Sequence, residues 1–127
     1  MKYSIITLAL LTLATYTAQA DLPAASTKTN VTYAVDIKPI LDASCIKCHS
    51  EGQKPKAGIS LNSLAAIQRG GKHGQFLVVG NSAKSDIVAS IAHTGNPDTF
   101  MPKGPGAKKL TPEQIGLVRA WIDQGCK

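Results

Sequence analysis

The five residues Cys45-Ile46-Lys47-Cys48-His49 constrain this chain more than any other feature of its sequence. Two cysteines three positions apart lie on the same side of a helical turn, and a histidine follows directly. In that arrangement the two thiols can form thioether bonds to the two vinyl groups of one haem, and the histidine can give a nitrogen to the iron. The pattern therefore predicts one covalently bound haem c, attached through Cys45 and Cys48, with His49 as the first axial iron ligand.

A C-x-x-C pair also occurs in redox-active dithiols and in zinc sites, and both alternatives stay open on the sequence. A thioredoxin-like dithiol needs a βαβ surround, whereas the only β-leaning run here is Phe76 to Val79. A zinc site needs four ligands, usually with a second pair at short spacing. The remaining candidates, Cys126, His73 and His93, show no such spacing. Both features favour haem over the two alternatives.

The second iron ligand has to come from further along the chain. Apart from Met1, Met101 is the only methionine, and it lies in a long loop rich in glycine and proline. A thioether is a soft ligand that suits ferrous iron, so Met101 is predicted to be the distal axial ligand, although methionine is also a common filler of protein cores. His73 and His93 are the competing candidates, and each is more simply interpreted as an ordinary surface or core histidine.

The first twenty residues have the layout of a secretory signal peptide. Lys2 is followed by an apolar run over residues 5–14, and Ala18-Gln19-Ala20 forms a cleavage pattern before Asp21. The apolar run is too short to span a bilayer, which takes roughly 20 residues. We therefore expect a cleaved, periplasmic protein without a transmembrane segment, assuming a bacterium with two membranes. Residues 21–32 are predicted to be a flexible leader, and residues 33–127 a single domain.

The charge of the chain bears on its partners. The formal net charge is +6, and it falls to +5 once Lys2 is removed with the signal peptide. Basic residues are scattered, with short clusters at Lys54/Lys56 and Lys108/Lys109 and no interleaved aromatics, which argues against nucleic-acid binding. A moderately basic surface instead favours redox partner proteins that are acidic where they dock.

The small size of the domain and its odd cysteine complete the compositional argument. A domain of this length with one Trp and two Phe is marginally stable without a disulfide, a metal or a large apolar cofactor. Cys126 has no partner in the chain once Cys45 and Cys48 are committed to haem. The simpler interpretation of this leftover thiol is a free cysteine near the chain end; in an exported protein the alternative is a disulfide to a second copy, giving a dimer through Cys126.

Four short helices are expected from capping residues and apolar spacing. The first is capped by Asp36 and runs through Cys45 to Cys48. The second is capped by Asn62 and stopped by Gly70-Gly71, and the third is capped by Ser85. The last has the clearest signal, because Thr111, Pro112 and Gln114 form a T-x-x-Q capping box with proline in the first turn, and Gly125 ends it. Long loops are expected around residues 70–84 and 94–110.

The order of these motifs resembles a known family. The chain reads CIKCH, GISLNSLAAIQRGGKHG, SDIVASI, FMPKGP and then LTPEQIGLVRAWIDQG. This order is similar to that of class I cytochromes c, and in particular of the planctomycete-type cytochrome c domain, over about residues 33–126. The resemblance implies an all-α, class I cytochrome c-like fold with about four short helices and long loops around one haem. It also implies His49 and Met101 as axial ligands. Lys103 and Cys126 depart from residues that are usual in the family.

These observations together predict a monohaem c-type cytochrome that carries single electrons between periplasmic redox partners. Two filled axial positions leave no place for a substrate, so an enzyme is not expected. The alternative is a haem-based sensor or small-ligand-binding domain in which the distal ligand is displaceable. The proximal histidine usually donates its second ring N–H to a carbonyl oxygen, and the nearby carbonyl of Pro55 is the candidate for His49.

Overall fold

The computed structural model describes residues 21–127, so the signal peptide predicted for residues 1–20 lies outside the described residues. The described part forms four α-helices: α1 (Lys38–Ser44), α2 (Leu64–Arg69), α3 (Asp86–Ala92) and α4 (Pro112–Asp123). Short 3₁₀ turns and loops connect them, and a π-helical turn, Tyr33–Ile37, precedes α1. Within residues 21–127 the only β pairing is an isolated bridge between Gly71 and Gly74. None of these helices is long and apolar enough to cross a membrane.

The first helical segment begins earlier and ends earlier than its sequence predicts. Thr32, not Asp36, caps it, because the Thr32 hydroxyl accepts the Val35 N–H. The Asp36 carboxylate instead accepts the Thr32 N–H at 3.0 Å. Helix α1 ends at Ser44, since Cys45 leaves the helical region with φ −125°. The C-x-x-C-H motif therefore lies in a turn after the helix and not inside it.

The second helix also has a different cap from the predicted one. The Ser63 hydroxyl accepts the Ala66 N–H at 3.1 Å, whereas the Asn62 side chain accepts a hydrogen bond from Ser60. Two neighbouring residues with capping side chains cannot be told apart by local preference alone. Gly70 ends the helix with φ +81°, as predicted, because this left-handed conformation favours glycine.

The run Phe76 to Val79 forms no strand and instead supports the start of α3. Phe76 and Leu77 are both buried, while Val78 and Val79 are exposed, so the alternation of a strand is missing. The Phe76 carbonyl accepts the Ile87 N–H at 3.0 Å, which satisfies one free donor of the first turn of α3. Ser85 occupies the cap position, as predicted, but its hydroxyl accepts the Val78 N–H.

Helix α4 organises the core. Its capping box is formed as predicted, since Thr111 and Gln114 exchange side-chain-to-backbone hydrogen bonds, and Gly125 follows its end with φ +94°. Its buried face packs against α3, the Ser82–Lys84 turn and the Tyr33–Ile37 turn. The apolar side chains of this face are Ile115, Val118, Ala120, Trp121 and Ile122.

The chain end is folded back onto the same helix. The Lys127 carbonyl accepts hydrogen bonds from the Trp121 indole at 3.0 Å and from the Tyr33 N–H at 2.7 Å. Cys126 lies inside this closure and is only 2% exposed, and burial raises the pKa of its thiol to about 11. This burial argues against the dimer expected through Cys126, because a disulfide to a second copy would require the terminal turn to open.

Residues 21–32, for which composition predicts a flexible leader, make hydrogen bonds to α4 and the residue after it. The Ser26 N–H donates to the Gly116 carbonyl at 2.9 Å, and the Arg119 guanidinium donates to the carbonyl of Pro23. The Gln124 side chain donates to the carbonyl of Lys28 at 2.8 Å. The segment therefore lies along α4, held by one backbone-to-backbone hydrogen bond and two from the side chains of Arg119 and Gln124, which composition does not reveal.

Candidate functional site

The C-x-x-C-H residues form a tight turn at the end of α1. The N–H groups of Cys48 and His49 both donate to the Cys45 carbonyl, each at 3.1 Å. The Cys45 side chain packs partly buried against the core, and Cys48 is exposed. Neither thiol is in a disulfide. One thiol is therefore set against the apolar interior and the other at the surface.

His49 is oriented by the segment that follows the turn. Its Nδ1–H donates to the Ile59 carbonyl at 3.1 Å, and its own carbonyl accepts the Leu61 N–H at 2.8 Å. Because a carbonyl only accepts, Nδ1 carries the hydrogen, and in the neutral imidazole Nε2 then keeps its lone pair. The ring is thus held in the tautomer that a metal-binding histidine needs.

The Pro55 carbonyl, the candidate acceptor for His49, does not accept this hydrogen bond. The carbonyl of Pro55 accepts the Gly58 N–H at 2.9 Å instead, and Ile59 takes the place assigned to it. Every residue has the same backbone carbonyl, so no side-chain signal in the sequence could have identified Ile59.

Gly71 supports the Ile59 segment from the other side. A Cβ placed on Gly71 would lie 2.6 Å from Cγ1 of Ile59 and 3.0 Å from the Ala57 carbonyl oxygen. The Lys72 N–H donates to the same Ala57 carbonyl at 2.9 Å. The Gly70-Gly71 pair therefore stops α2 and also lets the chain approach the segment that orients His49.

The burial of Cys45 disfavours the dithiol alternative. Burial raises the pKa of the Cys45 thiol to about 11, whereas the attacking cysteine of a redox dithiol has a lowered pKa. Residues 21–127 also lack the strands of a βαβ surround.

The zinc alternative also lacks support in the geometry. No three His, Cys, Asp or Glu side chains of the described residues come together in a group that could hold a metal ion. His73 is exposed in the turn closed by the Gly71–Gly74 bridge. Cys126 is buried against Trp121 at the chain end. The candidates for a second ligand pair therefore do not complete a zinc site.

Met101 is carried by a different element, the end of α3. Its N–H donates to the Ser90 carbonyl at 3.0 Å, and its carbonyl accepts the His93 Nε2–H at 2.9 Å. The side chain is half-buried. Different segments therefore position the two parts of the site. Helix α1 and residues 55–61 contact the Cys45–His49 turn, and the end of α3 contacts Met101.

Exposed lysines lie within the turn and in the segment that follows it. Lys47 lies within the motif, and Lys54 and Lys56 follow it, all three exposed. The Lys56 N–H donates to the Cys48 carbonyl at 3.3 Å, which ties this basic segment directly to the motif. The nearby acidic residue Glu51 is paired with Arg69. The surface next to Cys48 is therefore positively charged.

Two cavities of about 360 and 350 Å³ lie away from the motif. The first is between residues 24–27 and the start of α4. The second is beside α3 and residues 94–99. Neither is lined by Cys45, Cys48, His49 or Met101, so neither bears on the motif chemistry.

The described residues form an all-α fold around a C-x-x-C-H turn with an oriented histidine, which is consistent with a cytochrome c-like fold and confirms the expected fold class. Residues 45–104 match the sequence model of a family described as Planctomycete cytochrome C, which confirms the family resemblance. The match covers the turn, the loops and Met101, and is narrower than the expected range of 33–126. No curated protein and no solved structure matches the chain. A cytochrome c domain implies haem c with iron, electron transfer with redox partners, and a location outside the cytoplasm.

Proposed function

We propose that this protein is a monohaem c-type cytochrome that carries single electrons between periplasmic redox partners. Cys45 and Cys48 would hold the haem through thioether bonds, and His49 and Met101 would be the axial ligands of its iron. The observation that carries the proposal is the hydrogen bond from His49 Nδ1–H to the Ile59 carbonyl. It fixes the ring and leaves Nε2 as the free donor atom.

The donor set fits haem c. The two thiols lie in one turn directly after α1, and Cys45 is in contact with the apolar core, where a large apolar ring would supply the burial that this small domain needs. Imidazole nitrogen and thioether sulfur are the ligand pair of cytochromes c. When bound, the haem supplies a one-electron couple at its iron. The chain supplies the covalent anchors, the fixed imidazole and the loop that carries the thioether.

Two protein ligands make the chain a carrier and not an enzyme. Histidine and methionine together fill both axial positions of a haem iron, so no position is left for a substrate. Such a site favours transfer through the exposed ring edge to a docked partner. The export signal predicted for residues 1–20 would locate this exchange in the periplasm.

The first test is the visible spectrum of the mature protein, made together with the cytochrome c maturation machinery. We expect a c-type spectrum with covalently retained haem and a weak far-red ferric band from the methionine–iron bond. Cys45→Ala with Cys48→Ala should abolish covalent retention, while the control Cys126→Ala should keep it. A folded wild-type protein without haem absorbance would contradict the proposal.

Met101→Leu tests the distal ligand. Leucine has nearly the same volume as methionine but cannot bind iron, so we expect loss of the far-red band and a lower reduction potential. Lys108→Ala in the same loop is the control and should change neither. A Met101→Leu protein that keeps the band would exclude Met101 as a ligand, and ready binding of carbon monoxide by the ferrous wild type would favour the sensor alternative.

A further inference from the structure

His93 ends α3 in a conformation that turns its side chain toward the loop carrying Met101. It has φ +57° and ψ +43°, a left-handed conformation in which histidine is more frequent than most non-glycine residues. Its ring stacks on Phe100, with the ring centroids 4.7 Å apart and the planes 17° from parallel. The stack places the His93 ring beside the residue that precedes Met101.

Both backbone polar groups of Met101 are bound by the last turn of α3. The Met101 N–H donates to the Ser90 carbonyl at 3.0 Å, and the Met101 carbonyl accepts from His93 Nε2 at 2.9 Å. A carbonyl cannot donate, so Nε2 carries the hydrogen and is not available to a metal. In this arrangement His93 binds the Met101 backbone through Nε2, and only Nδ1 keeps a lone pair.

We propose that His93 is a positioning residue that holds Met101 in place for iron ligation, an inference that rests on the proposed role of Met101. A methionine side chain has three rotatable bonds and little preferred direction of its own. Anchoring its backbone at both polar groups limits where the sulfur can go. Without the His93 anchor the loop populates conformations in which the sulfur is off the iron, and an external ligand then competes more easily.

Two substitutions separate the hydrogen bond from the stacked ring. His93→Phe keeps an aromatic ring beside Phe100 and removes the donor, whereas His93→Gln keeps an N–H donor and removes the ring. Neither new residue favours the left-handed backbone, so that cost is shared by both. His73→Phe, in an exposed turn, is the control for introducing phenylalanine.

The experiment uses the ferric haem-loaded proteins and measures the far-red band, the dissociation constant of imidazole and the thermal unfolding midpoint. We expect His93→Phe to weaken the band and to bind imidazole about tenfold more tightly, equivalent to about 1.4 kcal/mol. His93→Gln should bind imidazole within about twofold of the wild type, and His73→Phe should match the wild type.

Two results would overturn the role of His93 alone. One is a His93→Phe protein with the wild-type band and imidazole affinity. The other is equal loss of band and stability in His93→Phe and His93→Gln, which would show a structural role only. A wild-type ferric spectrum that lacks the band would instead overturn ligation by Met101, and the role of His93 with it, so the two failures are distinguishable.

Discussion

At the scale of single residues, Asp36 shows how one side chain closes the start of a helical segment. Its carboxylate accepts the Thr32 N–H at 3.0 Å and pairs with Lys28. The side-chain hydrogen bond from Lys28, followed by the backbone hydrogen bond from Thr32, holds the pKa of Asp36 below its ordinary value. The ionised carboxylate therefore links the Lys28 segment to the turn that leads into α1.

This link predicts a pH-dependent effect of Asp36→Asn. A carboxyl group with a lowered folded-state pKa stabilises the fold above its ordinary pKa of 3.8, and this contribution is lost as the pH falls through the lowered value. We expect Asp36→Asn to unfold at a lower temperature than the wild type at pH 7, with the difference vanishing below that lowered pKa. Thermal unfolding followed by circular dichroism from pH 7 to pH 2 measures it.

Asp42→Asn is the matched control for this prediction. Asp42 accepts from Lys38 at 2.6 Å in an exposed pair on α1, and such pairs contribute little. A gap between wild type and Asp36→Asn that stays constant down to pH 2 would show that the charge of Asp36 is not what stabilises the turn.

At the scale of elements, helix α4 and residues 21–32 pack closely because Gly116 has no side chain. A Cβ placed on Gly116 would lie 2.7 Å from the carbonyl oxygen of Ala24. The Ser26 N–H reaches the Gly116 carbonyl at 2.9 Å on the same face. Glycine in a helix interior is unfavourable by about 1 kcal/mol relative to alanine, and here it permits close contact between the helix and the segment.

Gly116→Ala is therefore expected to destabilise the protein. In an isolated helix the change would stabilise by about 1 kcal/mol, but the new methyl group forces Ala24 away, and such overpacking costs about 1–3 kcal/mol. Amide hydrogen exchange should show faster exchange at Ser26, whose hydrogen bond to Gly116 is strained. A gain in stability with unchanged exchange at Ser26 would show that the segment does not depend on this contact.

At the scale of the whole molecule, exposed positive charge lies next to the turn that is proposed to hold the haem. The net charge of the full sequence is +6, and exposed Lys47, Lys54 and Lys56 lie in or next to the turn. A positive surface attracts a negatively charged partner over about 10 Å at 0.1 M salt. We propose that this surface receives redox partners that are acidic at their docking sites.

Charge reversal tests this surface. Lys54→Glu with Lys56→Glu should slow electron transfer to an acidic redox protein by about tenfold at low salt, and the difference should shrink as salt is added. Lys84→Glu, on the turn before α3, changes charge away from the motif and should have a smaller effect. Stopped-flow rates that are independent of ionic strength in the wild type would exclude electrostatic steering.

The sequence by itself determined the features that depend only on residues close together in the chain. The spacing of Cys45, Cys48 and His49 predicted their chemistry, and the capping box of Thr111 and Gln114 predicted the start of α4, because both signals are contained within a few positions. The family resemblance, carried by the same local motifs, predicted the all-α fold. Identification of the haem-binding side chains themselves remains a prediction.

Only the tertiary structure decided which groups meet across the chain. The Ile59 carbonyl orients His49, His93 binds the carbonyl of Met101, and residues 21–32 lie along α4. Each of these contacts involves a backbone carbonyl or N–H, which every residue except proline possesses in full. The pattern of side chains in the sequence does not predict these hydrogen-bond partners. Which backbone group becomes the partner depends on how distant segments pack, and not on the identity of the residue that supplies it.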